Sequence, residues 1–450
     1  MALTHPIPRL CPGVVVHDPS FAVDDLLADF AADLSGRGFR VRGLIQRNNR
    51  GGGTGGGCAP RIEMMDLADG RVFRLDRTQQ THAPDSATTI STDFAGLSMT
   101  EAVIGRALAE DTDLVILSRF SALEGVRKRL VQGLGSGLPL LTSVAGQCLG
   151  KWHGLAGAGT SMLTPDRASL WRWWGPERLY QDLLYGVPDD EVRRITIGPR
   201  WVMVQGPHGC GLAHLPRGAG PALARLDGYR GLGLRGLARL VRSWDAVDMA
   251  LGMAAINAAT NRTDLDTPAG NGIDHYGTVP GPTVVVGAFP GLAERLPHAH
   301  VIETNPRPGE FPASAADYLL PGSRVAILTA AGFVSRTLPR LLSLAAGARV
   351  AVVGPATPLS PRLFAYGIET LAGFLVTDPE GMAIAVATGA KPREFRSFGR
   401  FVYRRAPAAA TGAPPRGSAD GGGIPPGNNG RGGNRPHRPG RQGVLPSPVG

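Results

Sequence analysis

Paired cysteines are missing from this chain. Its four cysteines, Cys11, Cys58, Cys148 and Cys210, never fall within three residues of one another, which excludes CxxC redox pairs and zinc knuckles. Free thiols in a reducing compartment follow, and the cytoplasm is the expected location. No run of about 18 apolar residues occurs, so no membrane span is expected. The segment from Met1 to Gly13 holds no apolar core of signal-peptide length. Lysine is missing beside the glycine-rich run Gly51 to Gly57, which leads into a hairpin pattern instead of a helix. A phosphate-binding loop needs the lysine and the helix, so this run reads as a flexible insertion. The first strand-to-helix loop, His17 to Asp25, also lacks the glycines and the lysine. A nucleotide there would need charge from elsewhere, such as Arg47 or Arg119.

What is present suits a globular chain of about three domains. Hydrophobic residues make up 43% and charged residues 19%, enough to build cores of ordinary composition. The excess of glycine and proline is local: 21 of the 46 residues from Arg405 to Gly450 are one or the other. That stretch also holds six arginines against one acid, which is half of the net charge of +10. It has no aromatic residue to stack on bases. A solvated, disordered tail over 405–450 is expected, with nucleic acid an unlooked-for partner.

Along the chain the period of the apolar residues changes twice. Val14 to Val16 reads as a strand, Val23 to Ser35 as an amphipathic helix ended by Gly36 and Gly38, and Arg40 to Gln46 as the next strand. This βαβ unit seeds a parallel sheet. Arg61 to Asp66 and Arg71 to Leu75 read as a hairpin across Asp69-Gly70. Helices over Thr100 to Glu110 and Leu123 to Leu134 alternate with strands over Leu114 to Leu117 and Leu138 to Val144. The result is a doubly wound α/β domain over 13–175. It closes on Trp171 and Trp174, one helical turn apart, whose expected role is packing. Residues 176–270 form an α+β unit. Three short strands, Glu191 to Ile197, Trp201 to Gln205 and Cys210 to Leu215, precede helices over Leu232 to Arg242 and Ala246 to Thr260. From Pro282 the alternation returns, with strands at Thr283 to Val286, His300 to Glu303, Arg324 to Leu328, Arg349 to Val353 and Gly373 to Val376. This Rossmann-like domain spans 271–404.

Three places carry candidate chemistry. His208-Gly-Cys210-Gly-Leu-Ala-His214 sets a thiol and an imidazole at the same strand parity, so both face one side. Cys210, His208 and His214 are candidate ligands for a transition metal, two or three where a stable site needs three or four; a buried cysteine in a turn is the plainer reading. Gly287 closes the first strand of the last domain and Glu303 ends the second. That pairing mimics a dinucleotide or adenosyl fingerprint without the full G-x-G-x-x-G. Gly354-Pro-Ala-Thr-Pro-Leu-Ser-Pro361 follows the fourth strand. Its prolines stiffen it at the edge where open α/β sheets place ligands, and Thr357 offers a hydroxyl there.

Trp201 to Ala213, the helix Ala250-Leu-Gly-Met-Ala-Ala-Ile-Asn-Ala258, the segment Val301-Ile-Glu-Thr-Asn-Pro306 and Gly354-Pro-Ala-Thr-Pro-Leu359 with Leu371-Ala-Gly373 resemble the heavy-metal chelation family. The likeness spans roughly Tyr180 to Arg404. It implies an enolase N-terminal-like α+β domain followed by a Rossmann-like domain, with a ligand cleft between them. Carried over, the cleft involves Asn257, Gly287, Glu303, Thr329, Pro355, Thr357 and Pro358, with Glu303 as an oxygen ligand or acceptor. The segment Thr329 to Thr337 departs from the glycine and asparagine usual in the family. The first half, through Gly43-Leu-Ile-Gln46, Asp113 to Phe120 with Glu124-Gly125, Leu138-Pro-Leu-Leu-Thr142 and Trp152, resembles an uncharacterised domain encoded beside molybdenum-transport genes. Those relatives look like P-loop-like nucleotide-binding folds whose phosphate loop has decayed.

Three functions follow from these readings. The first is a metal-homeostasis protein, with molybdenum as one candidate, that binds a metal ion or metal complex in the cleft. The second is an enzyme using a nucleotide or adenosyl cofactor at the Rossmann-like sheet, to which Gly287 and Glu303 fit equally well. The third is an adaptor with a protein partner. No residue set spells out a catalytic mechanism.

Overall fold

The structure, a computed structural model, describes residues 10–47, 62–75, 77–80, 89–92, 94–119, 137–156, 159–216 and 222–407. The expected helix over Leu123 to Leu134, the Gly51 to Gly57 run and the tail lie outside the described residues.

The first parallel sheet grows from apolar strands buried on both faces. Its strands are β1 (Gly13–His17), β2 (Val41–Arg47), β3 (Ile62–Asp66), β4 (Val72–Leu75), β7 (Leu114–Leu117), β8 (Leu140–Ala145) and β9 (Ser161–Leu163), with a separate ladder of β5 (Arg77–Gln80) and β6 (Thr89–Thr92) between β4 and β7 in the chain. They lie in the order β4-β3-β2-β7-β8-β1-β9. β7 reads Leu-Val-Ile-Leu and is buried throughout, as a central parallel strand must be. β1 and β2 flank the helix Val23–Gly36 in sequence yet are not neighbours. β1 pairs in parallel with β8 and β9, and β2 with β7. The hairpin β3-β4 closes one edge in antiparallel sense.

The second layer is a three-stranded antiparallel meander of β10 (Arg194–Ile197), β11 (Trp201–Gln205) and β12 (Cys210–His214). The helix Ala246–Thr260 lies directly on it. Asp245 caps its start by accepting the Val247 and Asp248 amides, and it is buried continuously from Val247 to Ala258. Gly211 permits the close approach, because a side chain there would collide with Ala254 O and Ala258 N. The expected helix over Leu232 to Arg242 divides into Leu234–Ala238 and a 3-10 turn, Arg239–Arg242.

The second parallel sheet contains β13 (Thr283–Val286), β14 (His300–Glu303), β15 (Phe311–Pro312), β16 (Val325–Thr329), β17 (Arg349–Val353), β18 (Ile368–Val376) and β19 (Gly399–Arg405). Its order, β15-β14-β13-β16-β17-β18-β19, is the doubly wound 3-2-1-4-5-6 arrangement with an antiparallel strand added at one edge. The chain reverses direction across the sheet between β13 and β16, and the carboxyl ends of these strands flank the switch point where such folds bind ligands. β18 starts five residues before the expected strand, and β19 pairs with it antiparallel along its whole length. Among the described residues no helix is long and apolar enough to cross a membrane.

The described residues belong to one compact unit, and one hydrophobic core runs from Val15 through the meander to Val402. A buried carboxylate joins the layers. Asp182, on the helix Leu179–Tyr185, is fully buried. It accepts from Arg37 Nη1 at 2.6 Å, Arg362 Nη1 at 2.6 Å and the Tyr366 hydroxyl at 3.0 Å. The guanidinium of Arg37 lies 4.7 Å from the Trp171 ring, and Trp171 meets Tyr366 edge-on at 5.6 Å. The tryptophans therefore pack between layers. Burial, and then the Asp182 carboxylate, push the Tyr366 phenol well above its ordinary range, which keeps it a donor. Asp182→Ala leaves two partly buried guanidinium groups without their anion, and a loss of about 3–5 kcal/mol is expected. Urea denaturation of the full chain measures it; a loss below about 1 kcal/mol would mean that the layers hold without this ion cluster.

Candidate ligand site

At the switch point three of the residues expected from sequence, Gly287, Glu303 and Thr329, come together. Gly287 ends β13 at φ +91, a conformation that glycine adopts freely. A Cβ there would sit 2.7 Å from Thr329 Cβ at the end of β16. Glu303, half-buried at the end of β14, reaches across. Its Oε1 accepts from the Ala288 amide at 2.6 Å and its Oε2 from the Thr304 amide at 3.2 Å. Its carboxylate is thus pinned at the mouth of the sheet with a lone pair left on each oxygen. Gly287→Ala combines backbone strain with a clash against Thr329, and a loss of about 1–3 kcal/mol in thermal or urea unfolding is expected.

The other expected residues form a joint instead of an open cleft. Asn257 is fully buried. Its Nδ2 donates to Leu212 O on β12 at 2.7 Å and to Ala356 O in the proline-rich loop at 2.9 Å. One helical turn on, Asn261 Nδ2 donates to Thr357 O at 3.0 Å and Asn261 Oδ1 accepts the Leu359 amide at 2.9 Å. The helix Ala246–Thr260 and its cap therefore grip the loop after β17 with two asparagines. Thr357 and Pro358 are buried in this joint, while Pro355 and Gly354 remain half-buried. Gly354, at φ +133, donates its amide to Ala372 O at 3.0 Å. Two polar atoms in the joint, Asn257 Oδ1 and Thr357 Oγ1, are buried without a hydrogen-bond partner. An unpaired buried polar group costs about 1–3 kcal/mol. Asn261 was not among the expected residues. Its spacing of four from Asn257 on a helix is the signal that marks it.

The soft-ligand set is not assembled, which corrects the expectation drawn from strand parity. Cys210 pairs with Gln205 at one end of β12, and His214 pairs with Trp201 at the other. Equal parity sets a common face, but four residues along a strand cover about 13 Å, far beyond metal–ligand bonds of about 2 Å. His214 packs edge-on against Trp201, His208 is exposed in the turn, and Glu303 belongs to the other sheet. Among the described residues no group of three or more His, Cys, Asp or Glu is placed to hold a metal ion. Cys210 is buried, and burial pushes its thiol up to about 11 against a weaker opposing pull from Arg194. The thiol then stays protonated in the fold where the unfolded chain ionises, near pH 8.5. The stability it contributes falls as pH rises from about 8.5 toward 11. At pH 8, iodoacetamide should modify exposed Cys11 in the native protein and reach Cys210 only in denaturant, as read by mass spectrometry of peptides.

Among the described residues the first sheet shows no phosphate cradle. Asp24, buried at the start of the helix after β1, binds Arg119 at 2.7 Å, so one of the two expected sources of positive charge is neutralised internally. Arg119 is held at φ +51, with its amide donating to Ser143 Oγ at 2.8 Å. Arg47 ends β2, separated from β1 by β7 and β8, which is about 14 Å of sheet.

Comparison with known proteins follows the same division. Residues 180–260 and 274–405 match two family models that carry one description, "Putative heavy-metal chelation". Residues 13–173 match a family of proteins of unknown function. The chain is 30% identical to a solved protein of unknown function from Desulfitobacterium hafniense DCB-2, with 51% of this chain and 97% of that one covered and a TM-score of 0.47. It is 20% identical to another from Pyrococcus horikoshii, covering 51% and 98%, with a TM-score of 0.45. Over 164 residues it is 31% identical to "Molybdenum import ATP-binding protein ModC 2" of Bradyrhizobium diazoefficiens. That match takes in 36% of this chain but only 18% of the curated relative.

Proposed function

Through residues 180–260 and 274–405 this chain belongs to the heavy-metal chelation family, and on that premise we propose that it binds a metal in complexed form at the joint between the meander and the second parallel sheet. The observation that carries this reading is the pair of unpartnered buried atoms, Asn257 Oδ1 and Thr357 Oγ1, at the loop after β17, whose Gly354 lies against Ala330 next to Thr329, with Gly287 and Glu303 two and three strands further along the sheet edge. Native proteins seldom leave such atoms unpaired, and a ligand that satisfies them recovers the cost. The donor set is all oxygen: a carboxylate, an amide carbonyl and a hydroxyl. Soft bare ions prefer thiolate and imidazole, so these residues fit recognition of a complex through its hydrogen-bond donors better than direct coordination. Glu303 would accept from a hydroxyl or amine of the complex. Asn257 and Thr357 would orient it, and backbone around Gly287 and Pro355 would shape the pocket. The likeness of the first half to part of a molybdenum importer makes molybdenum one cargo to test. The fixed charge of Glu303 disfavours a free oxyanion and favours molybdenum within an organic complex.

A second reading rests on the Glu303–Ala288 bond. An acid pinned at the end of the second strand, next to a glycine turn, is where a Rossmann-like sheet would take ribose hydroxyls. An enzyme using a nucleoside or adenosyl cofactor would use the same residues.

Metal analysis of the purified full chain, followed by calorimetric titration with zinc citrate, molybdate, molybdenum–catecholate and S-adenosylmethionine, separates the readings. The first predicts binding of a complex, with Glu303→Gln weakening it at least tenfold. Thr357→Val is more discriminating. It removes an unpaired hydroxyl, so it should stabilise the fold by about 1 kcal/mol while also weakening binding about tenfold. Stabilisation with unchanged binding would sink this site.

A further inference from the structure

The joint closes over the atoms that a ligand must reach, and besides the two asparagines one side chain bridges the layers from the outside. Arg336 lies just beyond the short helix Ala331–Val334, which follows β16 and packs against the helix that carries Asn257. It adopts φ +58, a left-handed conformation that strains any residue with a Cβ. Its Nη2 reaches into the meander layer and donates to the carbonyls of Val241 and Ser243, the latter at 2.7 Å. The guanidinium lies 5.3 Å from the Tyr180 ring and 5.1 Å from the Trp244 ring. Trp244 is 53% exposed, so water has access to one side of the stack. The Tyr180 hydroxyl donates to Phe333 O at 2.8 Å, tying the same short helix from beneath.

These contacts are suited to release. The hydrogen bonds of Arg336 go to carbonyls and not to a carboxylate, so letting go leaves no buried anion behind. The segment 331–336 also connects directly to Thr329 at the switch point, so movement there is felt at the site.

We propose that Arg336 is a latch, and that its release lets the second sheet move off the Ala246–Thr260 helix far enough to uncover Asn257 Oδ1 and Thr357 Oγ1. What enters the opened joint rests on the function proposed above, but the opening itself is tested without ligand. Amide hydrogen exchange of the full chain reads it at Leu359, whose amide is bonded to Asn261 Oδ1, and at Thr357, bonded to Gly354 O. Arg336→Gly removes the guanidinium and the backbone strain together. Arg336→Lys keeps the charge and loses the two-carbonyl bridge. Exchange at Leu359 and Thr357 should rise at least tenfold in the glycine variant and by less in the lysine variant. The amides of β16 and β17 should keep their protection, and Trp244 emission should shift to the red. Unchanged exchange at Leu359 overturns the latch. So does a uniform rise across β16 and β17, which would make Arg336 a general stabiliser. Loss of ligand binding in Thr357→Val bears on the site and leaves this readout untouched.

Discussion

A single carboxylate, Asp182, holds the architecture in register. It sits between guanidinium groups contributed by residues 145 and 180 positions away in the chain, and those groups exchange further bonds with each other's backbone. Arg37 donates to Arg362 O and Arg362 to Arg37 O. Two cations and one anion in a water-poor setting tolerate little displacement, because attraction there is strong and desolvation has already been incurred. The helix after β1, the helix Leu179–Tyr185 and the 3-10 turn Pro361–Tyr366 are fixed to one another by this cluster. That turn is the direct continuation of the proline-rich loop. The loop is therefore anchored at its far end by Asp182 and gripped at its near end by Asn257 and Asn261.

This double anchoring explains how a stiff, proline-rich loop can hold the Thr357 hydroxyl without a partner opposite the unpaired Asn257 oxygen of the helix. A flexible loop would rotate Thr357 toward water. Here the prolines remove backbone freedom, the asparagines occupy the neighbouring carbonyls, and the buried ion cluster stops the chain from sliding. The cost is local and is carried by the stability of the surrounding core. Such locally unfavourable arrangements concentrate at functional sites, and this one lies beside the switch point of a doubly wound sheet.

Much of the fold is legible in the amino-acid sequence. The helix Ala246–Thr260 and the strands at Thr283, His300 and Arg349 have the bounds read from sequence, because apolar runs there begin and end on capping residues, glycine or proline. β19 was not legible: Arg400, Arg404 and Arg405 interrupt its apolar positions, and its pairing with β18 supplies what its sequence lacks. The neighbours of β1 were hidden because parallel pairing is non-local. At the candidate site, Gly287 and Glu303 were recognisable from their places at strand ends, and Thr329 only through the family resemblance. Asn257 and Thr357 were also named, but as parts of an open cleft; only packing reveals that they are interior. The Cys210–His214 pairing failed because period two reports a face and says nothing of distance. Asp182 gave no signal, since one acid on a short amphipathic helix reads as solvent-facing.

The function proposed for this chain is reception of a metal complex at the buried oxygens of Asn257 and Thr357, with Glu303 three strands away along the same sheet edge. Anomalous diffraction from crystals of the full chain, grown with the complex that titrates most tightly and recorded at its metal's absorption edge, tests this most directly. One strong peak is expected at the joint, with the oxo or organic shell of the complex facing Asn257 Oδ1 and Thr357 Oγ1 and its organic part extending along the strand ends toward the Glu303 carboxylate. A peak centred on Cys210 or a surface histidine would contradict it, and so would no peak at all with both orphan atoms bonded to water.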